Sequence, residues 1–445
     1  MLFFGDIIIM GASLFLALWI RYGRVEEVKF DYHLKVFAIL FVIWLVVFNL
    51  SNLYKLEDII KVKKLIANLT QAVVISILIS VLFFYVVPIF KITPKTILVL
   101  FSAFVYIFAL LWRVIFAKLV LSNKLRNQVL IVGDDEFNME LVKEIENNQG
   151  WGYEVAGILP IKSGESANQK SLFKLKKENF VRKLETHNVS LLAVSFDKVK
   201  NNKSILKDLS DSFEAGVSII DAPVFYENLT GKVPVNALNH IWFLYNFEEA
   251  GKRVYEFLKR ILDIVFSFLG FLVFLLFIPL VFIGMIVTRD RGGLFYRQKR
   301  AGLRGKVFSV VKFRTMRPNK DKQVWSKEDD DRITKLGKFL RKTRIDELPQ
   351  MINILYGEMS LVGPRPEQPD IVKNLDHDIP FYNRRHIIKP GLTGWAQIQY
   401  RYGASTEDAM EKLQYDLYYI KNRSIFLDLA IVMKTIIIVL GFKGR

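Results

Sequence analysis

At 445 residues, 52% of them hydrophobic and 24% charged, the chain is too apolar for an ordinary soluble protein and too charged for a simple bundle of membrane spans. It has no cysteine, which excludes a disulfide framework and any Cys-based zinc site. The net charge of +18 is uneven: residues 251–320 hold 15 Lys and Arg against 3 Asp and Glu, so their ligand should be anionic, and the long apolar segment in the same window favours a membrane over nucleic acid.

Four apolar runs, at about residues 2–20, 34–50, 67–90 and 96–117, each approach the ~20 residues that cross ~30 Å of hydrocarbon, and predict four transmembrane helices within 1–120. The first lacks a basic leader and a small-residue cleavage pattern, so it reads as a retained span. Asp6 within it should face other helices or lie near the interface. Loop charges do not orient the spans: Arg21, Arg24, Lys29 and Lys35 on one side balance Lys55, Lys61, Lys63 and Lys64 on the other.

From about Asn127 the pattern changes to short strands, "QVLIVG", "YEVAGILP", "SLLAVSFD" and "GVSIIDAP", with helices near 136–148, 173–187 and 202–215. Strands alternating with helices imply a Rossmann-like parallel α/β domain over 121–250. A dinucleotide fingerprint would place glycines at 133, 135 and 138, but only Gly133 is present and Asp135 aims a negative charge at the pyrophosphate position. The domain is therefore expected to serve assembly or regulation rather than to bind NAD.

Residues 261–288 form another long apolar segment, preceded by Lys252, Arg253, Lys259 and Arg260 and followed by Arg289, Arg291, Arg297, Lys299 and Arg300. Two basic flanks with Pro279 between them predict a re-entrant helix that enters and leaves on one face; a Pro-kinked full span is the alternative. The tail, "SIFLDLAIVMKTIIIVLGFKGR", suits the interface or the domain core better than a crossing.

In "RIDELPQMINILYGEMSLVGPRP", Asp346 and Glu347 stand side by side. Asp is a favoured N-cap, Glu suits a first helical turn and Pro349 is tolerated there, so a purely structural role is open. The same helix start could hold a phosphate while one carboxylate reacts and the other binds a metal or moves a proton. Cations surround the pair in sequence: Lys312, Arg314 and Arg317 in "VVKFRTMRP", Arg341 in "KFLRKTR", and Arg365 fixed between Pro364 and Pro366. A carboxylate that attacks a diphosphate needs such cations to neutralise its target.

Four stretches, "YRQKRAGLRGKVFSVVKFRTMRP", "RKTRIDELPQMINILYGEMSLVGPRPE", "HIIKPGLTGWAQIQYRYG" and "YDLYYIKNRSIFLDLAIVMKT", together resemble the bacterial sugar transferase family, the monotopic phosphoglycosyl transferases that start exopolysaccharide and O-antigen synthesis. The resemblance covers about residues 252–445, and the N-terminal spans and degenerate α/β domain resemble the large members. It implies a membrane protein of mixed α and α/β class, with a mainly helical catalytic domain over 251–445. It also implies transfer of sugar 1-phosphate from a UDP-sugar to undecaprenyl phosphate, with Mg²⁺ and release of UMP. Asp346 would be the nucleophile of an aspartyl-phosphosugar intermediate, and Glu347 would hold Mg²⁺ or assist proton transfer.

Lys312, Arg314, Arg341, Arg365 and Arg401 would hold phosphates, and Asp416 and Asp428 match acidic positions near the site. Two departures stand out: Gln399-Tyr400-Arg401 replaces the Asn-Gly-Arg of many members, and Ile278 precedes Pro279 where the family has Ser-Pro. The expected partners are the UDP-sugar, undecaprenyl phosphate and the lipid bilayer, not nucleic acid, with a homodimer left open. The expected location is the bacterial inner membrane, catalytic domain on the cytoplasmic face. A competing class is a membrane-anchored NAD-dependent UDP-sugar dehydratase or epimerase, which needs a glycine fingerprint and a Tyr-x-x-x-Lys pair on the α/β domain; the match at Tyr255 and Lys259 lies outside it, beside the membrane segment.

Overall fold

The apolar runs fold as helices α1 (Leu2–Tyr22), α2 (Glu27–Leu50), α3 (Val62–Val86) and α4 (Lys95–Leu121). The structure, a computed structural model, describes residues 2–23, 27–54, 62–86, 95–121, 126–161, 180–237, 243, 252–288, 293–317, 332–400, 403 and 405–440. Among these, five helices are long and apolar enough to cross a membrane: the cores of α1 to α4 and Arg253–Val287. The chain divides into two compact units, 1–225 and 226–445.

In the first unit, α1 to α4 bury Phe37, Trp44 and Phe101 in one aromatic core. Asp6 is fully buried on α1 and meets Arg113 of α4 in a two-pronged pair, Nη1 to Oδ1 at 2.8 Å and Nη2 to Oδ2 at 2.7 Å. The expectation that Asp6 faces other helices holds for this reason: in an apolar bundle an ionised group is tolerated only when a counter-charge and hydrogen bonds compensate it.

The α/β part of this unit contains β1 (Asn127–Val132), α5 (Glu136–Asn147), β2 (Tyr153–Leu159), α6 (Phe180–Thr186), β3 (Val189–Val194), α7 (Lys203–Glu214) and β4 (Ser218–Asp221). All four strands are parallel, in the order β2-β1-β3-β4. Of the helix expected over 173–187, residues 173–179 lie outside the described residues.

The β1–α5 turn explains the missing glycines. Asp135 caps α5 and accepts from the Asn138 amide (3.3 Å) and side chain (2.8 Å), and Lys198 lies 2.9 Å from its carboxylate. Gly133 has φ +121°, and a Cβ there would come within 2.4 Å of the Asn138 side chain. The helix start that would receive a pyrophosphate is thus filled by its own carboxylate.

The second unit is built on α8 (Arg253–Val287), a 35-residue helix that runs uninterrupted through Pro279. The proline removes one hydrogen bond without ending the helix. Both halves pack on the same domain: Phe274, Val281 and Met285 join Phe313 and Leu340 in one cluster, with Leu336 and Ile352 against it. On the opposite side Phe257, Leu276 and Val287 are 67–76% exposed, a surface suited to hydrocarbon.

Around α8 lie the antiparallel hairpin β5 (Phe295–Ala301) and β6 (Val307–Phe313), the 3₁₀ helix Ile345–Gln350, α9 (Met351–Tyr356), the parallel pair β7 (Ser360–Val362) and β8 (Gly391–Thr393), α10 (Thr406–Asn422) and α11 (Ile425–Leu440). The tail helix α11 buries Ile431 in the core while Phe426 and Leu429 remain exposed, so it lies on the domain with one apolar face outward. Residues 226–237 also belong to this unit: Glu227 meets Lys421 and Asn422, and Trp395 donates to the Gly231 carbonyl.

Candidate active site

Strand β6 ends by placing Lys312 beside the 3₁₀ helix that carries Asp346 and Glu347. This helix differs from the start expected in the sequence: the cap position is Arg344, in the left-handed region at φ 60°, and both carboxylates occupy the first 3₁₀ turn. Six residues of 3₁₀ helix supply no strong dipole or row of free amides, so the positive field comes from side chains instead.

Those cations converge on Glu347. Lys312 Nζ lies 2.8 Å and Arg365 Nη2 3.1 Å from its Oε1, and Arg344 Nη1 lies 3.6 Å from its Oε2. Both carboxylates are 8% exposed. Burial alone would raise Glu347, but Lys312, Arg365 and Arg344 outweigh it and hold its carboxyl well below the usual range. Asp346 goes the other way: burial first, then the negative charge of Glu347, push it up to about 6. Its Oδ1 is buried and accepts no hydrogen bond. A carboxylate with a buried, unpartnered oxygen is poorly solvated, and its ionised form is a stronger nucleophile than one in water.

The other expected residues fall into two groups. Arg341 stands near the pair: its Nε donates to Thr315 Oγ1 at 3.0 Å, and its charge acts on Asp346. Arg314 donates to the Phe295 carbonyl at 3.3 Å, and none of its hydrogen bonds reaches either carboxylate. Asp416 is buried and ion-paired to Arg385 at 2.7 Å. Asp428 accepts from Tyr255 (2.9 Å), Lys259 (2.7 Å) and Tyr419 (2.7 Å), fastening α11 to α8 and α10. Tyr255 and Lys259, a coincidental motif in the sequence, thus have a structural use. Arg401 lies outside the described residues.

Arg344, Asp263 and Gln350 carry no motif signal in the sequence that assigns them to the site. Asp263 on α8 accepts from Ser360 Oγ (3.0 Å) and the Leu361 amide (2.9 Å), tying this long apolar helix to β7 just ahead of the Gly-Pro-Arg-Pro loop. An Asp in an apolar helix was the available signal. Gln350 is 3% exposed and its side-chain nitrogen has no partner, an unspent donor on the helix of the pair.

For a Mg²⁺ ion the donor set is sparse. Among the described residues no three His, Asp or Glu converge as a metal site. Glu347 Oε2 and Asp346 Oδ1 retain acceptor capacity, which fits a Mg²⁺ that keeps several waters and enters with substrate phosphates.

Residues 254–442 match the family model described as bacterial sugar transferase. A "UDP-glucose:undecaprenyl-phosphate glucose-1-phosphate transferase" of Escherichia coli (strain K12) is 33% identical over 334 residues, covering 72% of this chain and 68% of that protein. A "UDP-N-acetylgalactosamine-undecaprenyl-phosphate N-acetylgalactosaminephosphotransferase" of Aeromonas hydrophila is 38% identical over 247 residues, 53% of this chain and 56% of the relative. An "Undecaprenyl-phosphate galactose phosphotransferase" of Salmonella typhimurium is 37% identical over 211 residues, 43% of this chain and 42% of the relative. The matched part thus spans about half the length of the last two relatives.

Proposed function

Because the chain belongs to the bacterial sugar transferase family, we propose that it transfers sugar 1-phosphate from a UDP-sugar to undecaprenyl phosphate, giving undecaprenyl-diphosphate-sugar and UMP. The observation that carries this reading is the asymmetric pair: an unsatisfied Asp346 beside a Glu347 held ionised by three cations.

Asp346 attacks the phosphorus that bears the sugar. The bond from that phosphorus to the bridging oxygen breaks, and UMP leaves with the oxygen and its electron pair. The sugar phosphate stays on Asp346 as an acyl phosphate. A phosphate oxygen of the polyprenol then attacks the same phosphorus and frees the carboxylate. Lys312, Arg344 and Arg365, which neutralise Glu347 in the structure, share their charge with the incoming phosphates, and Arg341 adds to the field at Asp346. Glu347 would be the residue to hold a Mg²⁺ ion, which would supply further neutralisation of the diphosphate.

The relatives' names carry three different sugars, so the donor is read from a panel. UDP-glucose, UDP-galactose and their N-acetylated forms are offered with undecaprenyl phosphate in nanodiscs, and at least one is expected to release UMP with label moving to lipid. No UMP from any of them would contradict the proposed reaction.

The proposed lipid substrate favours a site at a membrane surface, and the proposed UDP-sugar, a cytosolic compound, favours the cytoplasmic face of the bacterial inner membrane. Basic flanks and the packing of both halves of α8 on one domain support a helix that enters and leaves on that face. Single cysteines at Val254 and Tyr296, in a chain that has none, are expected to react with an impermeant thiol reagent only after cells are opened. Labelling of either in intact cells would contradict the re-entrant topology.

A further inference from the structure

Arg365 is fixed by an arrangement that neither the motifs nor the carboxylate pair accounts for. Flanked by prolines that have no amide hydrogen, its loop is held through acceptors: three consecutive carbonyls each take one donor. Pro364 O accepts from the Gly391 amide at 2.9 Å, Arg365 O from Arg385 Nη2 at 3.0 Å, and Pro366 O from Arg300 Nη1 at 3.1 Å. Position 391 has room only for glycine, because a Cβ there would lie 2.1 Å from the Gly363 nitrogen.

Arg385 is 5% exposed and is itself held on two further sides. Its Nη1 donates to Tyr382 Oη at 2.7 Å and its Nη2 lies 2.7 Å from Asp416 Oδ2. Asp416 is 2% exposed and Tyr382 equally so. Burying a guanidinium carries a desolvation cost that an apolar residue at a purely structural position would avoid. This one spends its planar fork on a backbone carbonyl of the residue that grips Glu347.

We propose that Arg385, held by Asp416 and Tyr382, is a positioning residue that aims the Arg365 guanidinium at the diphosphate. The proposal rests on the reaction given above for its purpose, but its geometry is separate from that reading. It assigns Asp416 to the back of the Gly-Pro-Arg-Pro loop instead of to a substrate phosphate. The chain of contacts runs from α10 through Arg385 and the Arg365 backbone to Glu347, so a fault at Asp416 is felt at the reacting carboxylates without any contact between them.

The test is a double-mutant cycle on the full-length protein in nanodiscs. Affinity for inorganic pyrophosphate with Mg²⁺ is measured by calorimetry, and the UMP burst is measured in parallel. R365Q is expected to weaken pyrophosphate binding roughly ten- to a hundredfold, the range of a lost charge-assisted contact. R385K keeps the charge but not the fork, and is expected to show a smaller loss of the same kind, with a slower burst and a KM for the UDP-sugar raised in step with the lost pyrophosphate affinity. Placed in the R365Q background, R385K should cost nothing further, while its effect on the thermal midpoint persists. Should R385K fail to fold, Tyr382→Phe keeps the ring and removes only one acceptor, and the same non-additivity is expected of it.

Losses that simply add, or a thermal effect with no change in pyrophosphate affinity, would overturn the proposal, as would a wild-type protein that binds no pyrophosphate. A cycle that closes as described in a protein that releases no UMP would uphold the relay and count against the transfer reaction alone.

Discussion

Replacing Asp346 by Asn is expected to cut sugar-phosphate transfer on the order of 10⁴-fold or more, the scale of losing a nucleophile that other groups cannot replace. An amide neither carries the charge nor forms a productive acyl phosphate. The same substitution should leave the thermal midpoint unchanged or raise it. In the structure Asp346 is a buried carboxylate with one unpartnered oxygen beside the like charge of Glu347, and removing that charge relieves desolvation and repulsion together. Loss of activity with retained or improved stability is the signature of a residue kept for chemistry. A fall in stability parallel to the loss of transfer would assign Asp346 to the fold instead.

Glu347→Gln is expected to separate from Asp346→Asn on both measures. Transfer should fall about 10²–10³-fold, the usual cost of one electrostatic contact to a transition state. Stability should fall as well, because Lys312, Arg365 and Arg344 then crowd together without the buried charge that pairs them. Breaking a buried ion pair from one side costs about 3–5 kcal/mol, and a group of three cations stands toward the upper end of that range. Added Mg²⁺ at high concentration should recover part of the rate if the ion is held mainly by phosphate oxygens. A Glu347→Gln protein with wild-type stability would mean that the three cations are not held by this carboxylate in solution.

Local patterns were the legible part of the chain. The apolar runs at 2–20 and 96–117 announced α1 and α4 through length and composition alone, and "QVLIVG" and "SLLAVSFD" announced buried parallel strands because residues covered on both faces read as continuous apolar runs. Asp346, Glu347, Lys312 and Arg365 were also readable, the first two by adjacency and the others by ordered motifs. What stayed hidden depends on contacts remote in sequence. Arg113 pairs with Asp6 across 107 positions, and nothing local distinguishes it from a residue at a helix end. The motif positions of Asp416 and Asp428 do not reveal the partners that the fold gives them, Arg385 for the first and Tyr255, Lys259 and Tyr419 for the second.

At the helix start one of the two roles open to Asp346, that of the cap, goes to another residue for a local reason. Asp is a favoured cap, but Arg344 takes the cap position in the left-handed conformation, which puts Asp346 beside Glu347 in the first turn of the 3₁₀ helix. At Pro279 the chain stays helical, and Phe274 before the proline and Val281 and Met285 after it pack in one cluster.

The proposed covalent role of Asp346 is tested most directly by leaving out the second substrate. Protein incubated with Mg²⁺ and a UDP-sugar radiolabelled in the sugar, without undecaprenyl phosphate, is expected to release up to one equivalent of UMP and to retain label on the peptide that contains Asp346. Release of UMP only when undecaprenyl phosphate is present, with no label on the protein at any time, would contradict the intermediate and point to direct transfer between the two bound substrates.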